Sequence, residues 1–193
     1  GTENPYRLHQ ELGDWMTRNV TVVRNNKDLK ATLDKLDELS DRYGKVKLSD
    51  QSNWTNQNLS FTRALGDLIL LAKVITRGAL QRDECRGAHY KPEFQITAPD
   101  ADDQETLRAQ ARQWCEAFKE KNEKWLKTTV ARYKSDGSFE IEYEDVDVDS
   151  IPPRPRTYGL KGAEIISETW QEMLRSGSVG KPKESLAGAA SQK

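Results

Sequence analysis

The densest set of chemically capable side chains lies between positions 82 and 91. Arg82, Asp83, Glu84, Cys85, Arg86, His89 and Lys91 fall within ten residues. A guanidinium forks two hydrogen bonds onto carboxylate or carbonyl oxygens, so such a stretch suits the cross-linking of helices or the docking of a neighbouring domain. Gly87 is expected to let the backbone approach something closely. A salt-bridged loop satisfied within itself is the competing reading. In the docking reading Arg86 is the first inter-domain anchor and Arg82 the second. Glu84 holds one arginine in place, and His89 commits one ring nitrogen to the loop and offers the other to a neighbour. Elsewhere the inventory is thin. His9 sits among polar positions and reads as a solvated residue. Cys85 and Cys115 are too few for a disulfide framework and have no zinc spacing, which makes a reducing compartment the default. Cys115, beside Trp114, reads as a small packed hydrophobe. The acidic run from Glu140 to Asp149 alternates along an expected strand and lacks a calcium-loop glycine, so it reads as a wet face. No glycine-rich phosphate loop is present, and no nucleophile has a paired base and orienter. A self-contained active site is not expected.

The elements that must position this loop are helical. Pro5 opens a helix to about Asn19, with Leu8, Leu12 and Trp15 on one face. The β-branched run Val20–Val23 leaves the next residues undecided. Asn25 or Asn26 caps a second helix bearing Leu29, Leu33, Leu36 and Tyr43, and Gly44 ends it in the left-handed conformation. Phe61, Leu65, Leu68, Ala72, Ile75 and Ala79 form a heptad-like seam over about Asn53 to Leu80, interrupted by Gly66, and the seam reads as core. Asp102 and Glu105 are a capping pair for a fourth helix through Leu107, Ala111, Trp114 and Phe118 to about Asn122. The period then changes to two. Ala131 and Tyr133, a turn at Asp136-Gly137, and Phe139, Ile141 and Tyr143 spell a β-hairpin, with Glu140, Glu142 and Glu144 on its other side. Pro152, Pro153 and Pro155 break regular structure, and Ile165, Ile166, Thr169, Trp170 and Met173 mark a short amphipathic helix.

The expected fold is mainly α: a three-helix antiparallel bundle, one extra helix and a small C-terminal β-hairpin. The expected divisions are residues 1–95 as the bundle with its charged loop, 96–122 as a helical insertion, 123–160 as a hairpin tail, 161–175 as a short helix and 176–193 as a disordered tail. Hydrophobic residues make up 35% of the chain, enough for a core, and 30 basic against 31 acidic residues give a formal net charge of -1. That balance argues against a nucleic-acid partner, which needs a basic excess to displace counterions. No apolar run is long enough to insert directly into a membrane. Gly1 opens the chain without Met or a signal-like segment, so a processed or excised piece is expected.

The run from Arg82 to Phe94 resembles the Arg-x-Glu-Ser-Arg-Gly-Ala-His segment of succinate dehydrogenase and fumarate reductase flavoprotein subunits. Asn4-Pro5-Tyr6-Arg7-Leu8-His9 through Met16 looks like the start of their C-terminal helical domain. Glu123-Lys124-Trp125-Leu126-Lys127-Thr128-Thr129 and Pro153-Arg154-Pro155-Arg156-Thr157-Tyr158 look like its end. The resemblance covers about residues 1 to 158 and is nearest to bacterial menaquinone-type enzymes. Cys85 replaces the usual Ser, Gln95 replaces a common Pro, and 97–122 looks inserted. The resemblance implies a spectrin-repeat-like bundle with a packing and assembly role in a subunit that interconverts succinate and fumarate, linked to quinone. It implies no cofactor within this chain, FAD in the intact subunit, and two partners: the flavin-binding domain of the same subunit and an iron–sulfur subunit. A cytoplasmic location follows, peripheral to the bacterial inner membrane through partner subunits. The family's flavin-binding and substrate-binding residues match no position here. L-aspartate oxidase, which shares a similar loop, and a stand-alone helical interaction module are the alternatives.

Overall fold

Asn4 accepts a hydrogen bond from the Tyr6 amide, and Pro5 fills a first-turn position that needs no N–H, so the first helix, α1, runs Pro5–Asn19. The computed structural model describes residues 1–148 and 151–179. Asn25 caps α2 (Asn26–Tyr43) through the Asp28 amide, and Asn56 caps α3 (Gln57–Gln81) through the Leu59 amide. That cap starts α3 about four residues later than the apolar pattern suggests. Gly44 does follow α2, but at φ -60° in the right-handed region, so no left-handed cap forms there.

Leu8, Leu12, Leu36, Leu39, Leu65, Ile69 and Ala72 form the core between these three helices. Each Leu or Ile so buried contributes roughly 1.5–3 kcal/mol. The expected α3 seam is half right. Leu65, Ala72 and Ala79 are buried, but the seam continues through Ile69 and Thr76, while Leu68 and Ile75 are exposed. A three-four alternation admits neighbouring stripes, and only the partner helices decide which one is covered.

A single turn of 3₁₀ helix at Pro92–Phe94 leads away from the charged loop. Next come α4 (Gln104–Trp125), the antiparallel strands β1 (Lys127–Tyr133) and β2 (Phe139–Asp145), and α5 (Ala163–Arg175). Asp103, not Asp102, caps α4 by accepting from the Thr106 amide; Asp102 instead pairs with Lys161 at 2.6 Å. Gly137, at φ 85°, makes the hairpin turn.

The chain divides into two compact units. One comprises 1–95 with 129–143, so the hairpin's central residues belong with the bundle. A Cβ at Gly78 would stand 3.6 Å from the Thr129 methyl, an ordinary van der Waals contact. The other unit comprises 96–128 and the residues after 143. Its core is Ala111, Trp114, Cys115, Phe118, Ile166, Trp170 and Met173, with the Phe118 and Trp170 rings edge to face at 5.1 Å. Of the expected disordered tail, Ser176–Val179 make the turn closing α5, with the Ser178 and Val179 amides both bonded to the Met173 carbonyl. Residues 180–193 lie outside the described residues.

Candidate functional site

The loop leaves α3 at Arg82 and folds back on itself around one carboxylate. The Glu84 side chain is fully buried. Arg82 Nε donates to its Oε1 at 2.6 Å, and Arg86 Nε lies 3.0 Å from Oε2. Glu84 therefore holds both arginines, where one was expected. Two cations on one buried anion leave the cluster with local positive charge. The Arg82 side chain is 12% exposed and reaches Thr129 on β1 at 3.1 Å; that of Arg86 is 31% exposed.

Arg86 and His89 close a tight turn by exchanging both backbone hydrogen bonds, at 2.8 and 3.0 Å. Gly87 occupies the first central position at φ 58°, which a two-residue turn of this hand requires. Its role is conformational. Nothing lies within 4 Å of where a Cβ would stand, so the expected close approach is not seen within the chain.

His89 is committed at both nitrogens. Nε2 lies 2.8 Å from the Arg82 carbonyl, and Nδ1 lies 2.6 Å from Arg24 Nη1. A carbonyl only accepts and a guanidinium only donates, so the ring is neutral with its proton on Nε2. Burial is the main cause that pushes the imidazole below its ordinary pKa; the Arg82 carbonyl opposes this, and the charges of Arg24 and Lys91 reinforce it. The expectation of a ring nitrogen free for a neighbour is thus corrected, because Arg24 takes it.

Lys91 is the second buried charge. Its ammonium donates to Asp83 at 2.9 Å and to the Leu80 carbonyl at 3.0 Å, so a cation caps the negative C-terminal end of α3. Asp83 also accepts from the Asn26 side chain at 3.2 Å, and Glu93 accepts from the Asn26 amide, placing an anion at the start of α2. The Cys85 thiol donates to the Lys91 carbonyl. Backbone bonds join Arg24 and Tyr90, and Tyr90 and Val22. The loop therefore clamps the α1–α2 connection, the end of α3 and β1.

Arg24 was not singled out in the sequence, and the contacts of Asn26 and Thr129 with the loop were not expected. Arg24 meets His89 across 65 positions, and no local spacing signals such a contact. Among the other candidates, Cys115 is buried and its thiol is pushed up to about 11, mainly by burial, consistent with packing. His9 packs edge-on against Phe61. Glu140 and Glu142 pair across the hairpin with Lys134 and Arg132. No group of acidic, His or Cys side chains among the described residues is arranged to hold a metal ion. Among the described residues the strands form one antiparallel pair.

Among the described residues the site is a charged loop on a helical bundle, with its buried carboxylate and buried ammonium each paired. The chain belongs to the fumarate reductase flavoprotein C-terminal family, whose pattern it matches over residues 9–158. It is 46% identical over 162 residues to the succinate dehydrogenase flavoprotein subunit of Bacillus subtilis, covering 83% of this chain and 24% of that protein. It is 30% identical to the fumarate reductase flavoprotein subunit of Escherichia coli, covering 82% and 23% respectively. A solved E. coli quinol fumarate reductase chain superposes with a TM-score of 0.63 at 29% identity, over 83% of this chain and 24% of that one. The chain thus spans about a quarter of the length of these relatives. No helix among the described residues is long and apolar enough to cross a membrane.

Proposed function

We propose that this chain is the C-terminal helical module of a flavoprotein subunit that interconverts succinate and fumarate and exchanges electrons with quinone. The observation that carries the reading is the 46% identity to a succinate dehydrogenase flavoprotein subunit over 83% of the chain. In this reading FAD and the reacting residues lie in the part of the subunit that the module does not include. The module supplies packing and assembly. Its partners are the flavin-binding domain of the same subunit and an iron–sulfur subunit, and the assembly sits on the cytoplasmic side of a bacterial inner membrane.

The 82–91 loop is the contact we assign to the flavin-binding domain. Arg86 is its outermost guanidinium, anchored from behind by a buried carboxylate. Arg82, Glu84 and His89 act as positioning residues: they hold the turn and are largely consumed in doing so. The test is the longer polypeptide encoded around this chain. It should bind flavin and oxidise succinate with an artificial electron acceptor, whereas residues 1–193 alone should be colourless and inactive. Arg86→Ala should cost residues 1–193 about 1 kcal/mol, since Arg82 still answers Glu84, and should cost the longer polypeptide about 2–5 kcal/mol. A longer polypeptide without flavin overturns the function. Equal destabilisation in both overturns the role of the loop.

A further inference from the structure

The cations around the charged loop are not all answered in the same way. Arg82 and Arg86 share Glu84, and Lys91 has Asp83. Arg24 differs. Its Nε donates to the Val20 carbonyl at 2.9 Å and its Nη1 to the neutral His89 ring, and no carboxylate among the described residues pairs with it. Burial therefore acts unopposed and holds this guanidinium below its ordinary pKa. A guanidinium carries five N–H donors and Arg24 spends two, so three remain. A charge withdrawn from water without a counter-charge is costly, and an anion that reaches it recovers part of that cost.

Arg24 lines a cavity of about 260 Å³ that lies wholly within the bundle unit. Arg82 and His89 line it too, and His89 Nδ1 fixes the position of the Arg24 guanidinium. Most of the remaining wall is apolar: Val74, Ile75 and Gly78 on α3, and Ala131 and Ile141 on the hairpin. Gly78 contributes bare backbone, since a Cβ there would meet only the Thr129 methyl. Along α3 the wall from Val74 to Gly78 rises about 6 Å, the length of about four to six carbons, before Arg82 follows one turn on. A cationic end thus adjoins a hydrocarbon wall.

We infer that this cavity is a binding site for a short-chain aliphatic monocarboxylate, with the carboxylate on Arg24 and the chain along Val74, Ile75, Gly78 and Ile141. Other small molecules each leave something unmet. A dicarboxylate of equal length sets its second charge against valine and isoleucine, and an amide brings no charge to Arg24. An inorganic anion leaves the apolar wall wet. The bound ligand touches the α1–α2 connection, the end of α3 and both strands, so it ties the hairpin to the bundle and stabilises the folded unit by mass action. The site is built from this chain's own residues, and the inference stands or falls apart from the function proposed above.

Pentanoate is the probe, with pentanamide, pentanedioate and sodium chloride as controls at equal ionic strength. Pentanoate should raise the melting temperature of residues 1–193 saturably, with half-effect at about 1 mM and a gain of about 3 °C or more at about 10 mM. Pentanedioate should need about tenfold more, and pentanamide and chloride should give no saturable shift. The backbone amides of Gly78, Thr129 and Ile141 should move in the NMR spectrum along the same curve, while those of Trp54 and Gly66 stay. Ile75→Glu should keep the fold, since Ile75 is 51% exposed, and should abolish the pentanoate shift by placing a carboxylate beside the same cations. In the longer polypeptide the shift should persist and be lost with Arg24→Gln. Equal shifts with pentanoate and pentanamide, or amides that move only away from the cavity, overturn the site. A shift in residues 1–193 that the longer polypeptide lacks also overturns it, because the polypeptide itself then fills the cavity.

Discussion

Two clusters of the same residue types hold the bundle unit together, and they work in opposite ways. On the outside of α1 and α2, Arg42 bridges Glu3, Glu11 and Glu38 at about 3 Å, and Lys35 joins Glu11 and Glu38. Every member of that cluster keeps contact with water. At the end of α3, Glu84 and Lys91 keep none. An exposed network gains little, because each charge was well solvated before folding. A buried one is costly to assemble and far costlier to break, because the partner left behind has no water to turn to. The first cluster trims the angle between two helices that already share a leucine core. The second determines whether the loop has a defined shape at all.

Glu84→Ala is the sharpest way to break this comparison. It leaves Arg82 and Arg86 facing each other without their shared anion and should cost about 3–5 kcal/mol in urea unfolding, with little change in 1 M salt. Arg42→Ala should cost only about 1 kcal/mol, and the wild-type advantage should shrink further as salt is raised. Similar costs and similar salt dependence in the two variants would show that burial does not separate the clusters.

Acidity separates them by range. His89 is held below its ordinary value, so the unfolded chain takes up its proton first. Its contribution is complete above about pH 6.5 and is lost as the pH falls from there toward the folded-state value. Glu11 is held down to about 2 from 4.5, chiefly by the Arg42 hydrogen bonds, so its contribution is present above pH 4.5 and is lost as the pH falls through about 2. Stability measured against pH should therefore show a shallow first decline that His89→Gln flattens and Glu11→Gln does not. A second decline, below pH 4.5, should be lessened by Glu11→Gln and left unchanged by His89→Gln, the remainder coming from the other lowered carboxylates such as Glu38. The effect on each limb should be the smallest of those described.

The helices were legible in the sequence because a buried face repeats every 3.6 residues whatever covers it. Pro5, Asn25 and the Asp136-Gly137 turn were legible because their backbone demands are local. The charged loop was visible from composition, and so was the belonging of Glu84 with the arginines. What escaped depends on distant residues. Whether Leu68 or Ile69 is covered depends on where α1 and α2 lie, and the fate of the second His89 nitrogen depends on Arg24, 65 positions away. Asp102 and Asp103 are equivalent as helix starters until Lys161 claims one of them. Gly87 was read as a point of close approach because glycine serves both purposes, and only its φ tells them apart.

The route of the chain bears on the order in which the bundle unit is completed during synthesis. Residues 1–95 emerge first, but the strand that Arg82 reaches begins some thirty residues later, after the whole of α4. At about 5–20 residues per second the three helices wait roughly 2–10 s for residues 129–143 to be completed. Through that interval Arg82 has Glu84 but not Thr129, and the α3 surface around Gly78 is bare. A polypeptide stopped at residue 95 is thus a nascent stage of the bundle. On a ribosome-tethered chain whose residue 95 has cleared the exit tunnel and whose residue 129 has not, protease should cut at the 82–91 loop, and the cut should disappear once residue 143 has cleared the tunnel.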